Sequence, residues 1–85
     1  MKIESFNCNT EDGFVRITFR GNYNREYIVQ CHLANGQNKI VMSDHDHVSG
    51  LCGEINREAF KDFGENRCLT MIFNKAREKG LEVVE

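Results

Sequence analysis

The sequence predicts an α+β domain: an antiparallel β-meander of three to four strands, with two C-terminal helices packed on one face. Three observations predict it. From Phe14 to Ser43 apolar residues recur at every second position, the period of a half-buried strand. Beyond Glu54 the period lengthens to about 3.6, that of an amphipathic helix. Between the two strand-like runs Tyr27–Leu33 and Asn38–Ser43 stands Asn35-Gly36, the pair that best supplies the positive φ angles of a type I′ hairpin turn.

Ile3 to Cys8 reads as a first strand with Phe6 and Cys8 inward, although its alternation is imperfect. Asn9-Thr10-Glu11-Asp12-Gly13 has turn composition. Phe14 to Arg20 alternates well, with Val15, Ile17 and Phe19 on one face and Arg16, Thr18 and Arg20 on the other. For the next run to share that apolar face, Phe19 must oppose Tyr27, Ile17 oppose Val29 and Val15 oppose Cys31. Arg20 then meets Glu26 across the ladder, a favourable pair of opposite charges. Asn22-Tyr23-Asn24 is left as a three-residue loop tip of residues that tolerate the left-handed region.

A two-residue turn at Asn35-Gly36 sets Ala34 opposite Gln37, Cys31 opposite Ile40 and Val29 opposite Met42. A strand continuing past Ser43 would turn Asp44 and Asp46 inward, so it is expected to end there. Asp44 to Gly53 is then a polar connection. Asn56 is the expected N-cap of a short helix from Arg57 to Phe63, with Ile55, Ala59 and Phe63 on its apolar stripe. Gly64 breaks the chain before a second stripe of Leu69, Ile72, Phe73 and Ala76. Lys75, Arg77 and Lys79 suit the negative end of that helix, Gly80 stops it, and Leu81 to Val84 can form a terminal strand.

Composition bounds the function. The 85 residues fit a single domain over positions 1–85, with a hydrophobic share of 40% and room for one modest core. A formal charge of −2 argues against a generally basic nucleic-acid binder. No run approaches the ~18 apolar residues of a membrane span, and Met1-Lys2-Ile3-Glu4-Ser5 lacks the apolar core of a signal peptide. The expected setting is the cytoplasm, where Cys8, Cys31, Cys52 and Cys68 remain thiols.

Cys52-Gly53-Glu54-Ile55-Asn56-Arg57-Glu58-Ala59-Phe60-Lys61-Asp62-Phe63-Gly64 resembles a recurring signature in a family of short uncharacterised bacterial proteins, a domain of unknown function. Its pattern looks like Cys-x-Ile-Ser-x-Glu-Ala-Leu-x-Asp-x-Phe-Gly. Asn66-Arg67, Ala76-Arg77 and Lys79 are similar to residues of that family's last helix. Asn56 stands where the pattern has Ser, Phe60 where it has Leu, and the two matched pieces lie closer together here. The resemblance covers about a third of the chain. It implies strands followed by a C-terminal helix, and no established activity.

The densest set of ligand-type residues is Asp44-His45-Asp46-His47 with Cys52 five positions on. Imidazole, carboxylate and thiolate together make a sensible zinc set, so Asp44, His45, His47 and Cys52 define an alternative reading as a small metal-binding protein. The competing reading is a solvated polar loop, since no standard metal spacing such as Cys-x-x-Cys occurs. Cys31 and His32 are adjacent on a strand and so face opposite ways, which excludes them as a nucleophile–base pair. No phosphate loop, Gly-x-Ser-x-Gly or His-Glu-x-x-His is present, and neither an enzyme nor a cofactor is expected.

The outward sheet face would carry Arg16, Arg20, His32 and Lys39 among Thr18, Ile28, Gln30 and Val41, with Arg25 at its edge and Tyr23 at the loop tip. Cations mixed with apolar groups, and aromatics confined to Tyr23, suit a protein contact better than a single-stranded nucleic acid. The expectation is a small non-enzymatic interaction module that binds another protein, or a second copy of itself, through this face or a strand edge. Size and acidity, by association, suit a regulator or inhibitor carried by a phage or mobile element.

Overall fold

The computed structural model describes residues 2–34, 37–44 and 52–85. Strands β1 (Lys2–Asn9), β2 (Phe14–Arg20) and β3 (Glu26–His32) form an antiparallel sheet in the order β1-β2-β3. A 3-10 turn at Asn22–Asn24 joins the last two. The short strand β4 (Lys39–Val41) leads into a 3-10 turn at Met42–Asp44, and helices α1 (Gly53–Phe63) and α2 (Glu65–Glu78) follow. The final strand β5 (Glu82–Val84) pairs parallel with β4 in a second, two-stranded sheet.

The β2–β3 register is the expected one, with Phe19 opposite Tyr27, Ile17 opposite Val29, Val15 opposite Cys31 and Arg20 opposite Glu26. The imperfect alternation of the first strand also has its cause. Ile3 opposes Phe19 but Ser5 opposes Thr18, so Glu4 is an extra residue in a β-bulge. The bulge shifts parity by one and brings Ile3, Phe6 and Cys8 all opposite the inward row Phe19, Ile17 and Val15.

The hairpin expected from Asn35-Gly36 does not extend. Those two residues lie outside the described ones; beside them, Gln37 N–H donates to Ala34 O (2.8 Å) and Ala34 N–H to Lys39 O (2.8 Å). Past that point β4 leaves β3 and pairs Ile40 with Val83, so Cys31–Ile40 and Val29–Met42 are not ladder partners. The physical reason is competition. The hairpin would have set Gln30 against Val41, and the backbone of Gln30 is already bonded by the side chain of Asn56. The parallel pairing of β4 and β5 instead uses the two helices as its crossover. Ile40 is buried as its period required, but against a different strand.

Asn56 is likewise not an N-cap. The helix starts three residues earlier, at Gly53, and Asn56 lies inside it, fully buried. Its inward stripe is Cys52, Asn56, Ala59 and Phe63, while Ile55 is 40% exposed. The break before α2 falls at Gly64, whose φ of 90° and ψ of 143° suit glycine alone. Leu69, Ile72, Phe73 and Ala76 of α2 are buried as the stripe predicted, joined by Cys68. One core therefore lies between the three-stranded sheet and the helices, with Val15, Ile17, Phe19 and Val29 completely enclosed.

Candidate functional site

Helix α1 is fixed along the outer edge of β3 by contacts at both of its ends. At its start, Asn56 Oδ1 accepts from Gln30 N–H (2.7 Å) and Asn56 Nδ2 donates to Gln30 O (2.8 Å). A carboxamide carries the donor and acceptor of a peptide group, so this side chain acts as one residue of a neighbouring strand. At its end, the Phe63 ring packs edge-on against Tyr27 (4.9 Å between centroids) and Phe19 (5.6 Å). Gly21 lies so close to that ring that a Cβ there would collide with it. Tyr27 Oη donates to Asp62, and this hydrogen bond raises the phenol above its ordinary pKa. Arg25, 5.4 Å from the Tyr27 ring centroid, pairs with Glu58 (2.9 Å) and Asp62 (3.8 Å) of the helix.

The same pattern of bonds defines the opposite edge. Gln30 turns both backbone groups away from β2, so it forms a non-hydrogen-bonded pair with Arg16. Arg16 must then bond towards β1, to Asn7 opposite it, and the alternation directs the N–H and C=O of Phe6 and Cys8 off the sheet. No backbone partner takes them among the described residues. Beyond the bulge, Ser5 to Asn9 is regular strand, half-exposed along its length; Cys8 Sγ donates to Asn38 Oδ1 (3.9 Å), and β1 pairs with no strand but β2 among the described residues. A shallow cleft of about 170 Å³ flanks its N-terminal half, lined by Ile3, Glu4, Ser5, Phe6, Lys75 and Lys79.

The outward face differs from the expected one. Lys39 and Val41 belong to β4 and the other sheet, so they are not part of it; the hairpin that would have put them there does not extend. Gln30 is buried, its Oε1 accepting from Arg16 Nε (2.9 Å) and its Nε2 donating to Cys52 Sγ (3.6 Å). His32 Nε2 is shut off from solvent and unpartnered among the described residues. Arg20 is held by Glu4 (3.0 Å) and Glu26 (3.7 Å) and donates to Asn24 O, so its charge is locally balanced. Ile28 is half-buried, and Tyr23 stands fully exposed at the loop tip with φ 56°. One aromatic was overlooked in the sequence: Phe14 shares this face, 5.3 Å from the Arg16 guanidinium, and its position two residues before Arg16 was the available signal.

The alternative metal set is not brought together by what is visible. His45 and His47 lie outside the described residues, and Asp44 ends the Met42–Asp44 turn. Cys52 is buried in the core, where desolvation raises its thiol pKa. Cys31 is pushed up to about 12, by burial first and then by the neighbouring Cys52. Among the described residues no three acidic, His or Cys side chains gather as a metal site, and no helix is long and apolar enough to cross a membrane.

The inward residues of the stretch that resembles the bacterial signature, Cys52, Asn56, Ala59 and Phe63, are thus packing and edge-closing groups. No family model, curated protein or solved structure matches this chain.

Proposed function

We propose that this chain is a non-enzymatic binding module of the cytoplasm, a small regulator or inhibitor. It recruits a protein partner by adding an extended segment of that partner to the edge of β1. The observation that carries this reading is the pair of outward-directed backbone groups at Phe6 and Cys8 on a regular five-residue strand. Strand addition takes its affinity from such main-chain bonds and its selectivity from alternate side chains. Here those are Phe6 and Cys8 towards the core and Ser5 and Asn7 towards the outer face. Tyr23 and Ile28 of the outward face offer lesser contacts, since much of the rest of that face is internally paired or covered.

Affinity capture from the native host tests it. Cys8→Pro removes one edge N–H without touching the β1–β2 ladder, at a position where proline is tolerated in edge strands, and Cys8→Ala controls for the lost thiol and its contact with Asn38. A partner held by the wild-type chain and by Ile28→Arg, but released by Cys8→Pro, is the expected result. Slowed amide exchange at Phe6 and Cys8 in the complex accompanies it. A partner retained by Cys8→Pro with those amides unprotected ends the edge reading.

A further inference from the structure

We propose that the segment seated on the β1 edge is β1 of a second copy of this chain, the two strands running antiparallel about a two-fold axis through Asn7. This rests on the edge reading above and adds the identity of the occupant. The bulge at Glu4 spoils the ladder before Ser5, and the Asn9–Gly13 turn, closed by Gly13 N–H donating to Asn9 O (2.8 Å), ends it after Asn9. What remains is Ser5 to Asn9, five residues centred on Asn7. A strand of odd length with outward bonding groups at Phe6 and Cys8 is self-complementary. Asn7 faces Asn7 of the second copy as a non-hydrogen-bonded pair, and each Phe6 exchanges both backbone bonds with the other chain's Cys8. Parity is kept as well: Phe6 meets Cys8 on the core side and Ser5 meets Asn9 on the outer side.

The charges at the two ends of the edge agree with this register. Lys2, Lys75 and Lys79 gather at the N-terminal end of β1, the last two lining the cleft beside Ile3 and Phe6. Of these three, Lys75 is 3.2 Å from Glu78, and Lys2 and Lys79 have no ion pair among the described residues. At the other end stands the acidic Glu11-Asp12 turn, whose Asp12 is held by Asn9 (3.0 Å). An antiparallel second copy carries each acidic turn towards the other chain's lysines, twice by symmetry. A parallel copy would set lysines against lysines.

Sedimentation equilibrium of the full chain between about 1 and 500 µM, with cross-linking, tests the proposal. The expected result is a mass that rises from 9.8 kDa towards twice that value, and more weakly at high salt. Asn7→Cys should give a disulfide-linked dimer under mild oxidation, because paired residue 7 positions are close neighbours. Ser5→Cys should not, since it faces Asn9 of the other chain. Cys8→Pro should weaken the association tenfold or more. A chain that stays monomeric throughout overturns the second copy. If such a monomer still loses a host partner on Cys8→Pro, the edge reading survives without it. A dimer unaffected by Cys8→Pro and cross-linked no better by Asn7→Cys than by Ser5→Cys associates elsewhere, which also overturns the proposal.

Discussion

Along β3 the outward backbone of Gln30 is bonded by Asn56, and a helix is held over the edge by Phe63, Tyr27 and Arg25. Along β1, Phe6 and Cys8 direct the same kinds of group outward, and only a bulge at Glu4 interrupts the strand. Both are outer strands of one sheet, so the contrast is informative. An unpaired edge is a template for further strands, and proteins generally cover or blunt it. This chain closes one edge by burying an otherwise costly carboxamide, while the Phe6 and Cys8 backbone groups of the other have no backbone partner among the described residues.

The contrast can be broken from the closed side. Asn56→Leu keeps the side-chain volume but strips the bonds from the Gln30 N–H and C=O inside the protein. Two buried unsatisfied groups put the loss at about 3 kcal/mol, read as a lower urea midpoint, and β3 should become a second aggregation-prone edge. Gly64→Ala forces a side chain into a backbone region reserved for glycine and disturbs the angle at which α1 meets α2. About 2 kcal/mol is expected, with no change in the behaviour of β1. Tyr27→Phe removes the bond to Asp62 and should cost about 1 kcal/mol.

The seam under α1 also has a pH signature. The folded-state pKa of Cys31 is raised to about 12 from 9.0, and those of Cys52 and Tyr27 are raised too. Raised values mean that the fold holds these protons more tightly than the unfolded chain does. Their stabilisation is complete below the unfolded values and is lost as pH climbs from about 9 towards 12. Cys31→Val should flatten that alkaline decline in a series of denaturation curves; an unchanged slope would show that the thiol is not its source. The smallest effect belongs to the open side. Glu4→Ala releases Arg20 from a pair whose side chains are both more than 40% exposed, and at most about 0.5 kcal/mol should follow. A larger loss would mean that the bulge is held by more than its sequence position.

Much of the sheet was legible because a two-residue period allows only one register for a given loop. The pairing of Arg20 with Glu26 followed from Phe19 and Tyr27 sharing a face. The α2 stripe and the break at Gly64 followed from spacing in the same way. Asn56 was misread because a buried amide inside a helix and a capping amide before one are the same residue in the same local pattern. Only the partner, Gln30, 26 positions away, distinguishes them.

By itself, the sequence determined which apolar side chains of β2, β3 and β4 face inward, since periodicity is a local property of the backbone. Val29, Cys31 and Ile40 are buried as their alternation required. The tertiary structure alone decided which strand receives β4 and which edge the helix closes. Those outcomes turn on a competition between distant groups for the same backbone bonds, and no local pattern records who wins.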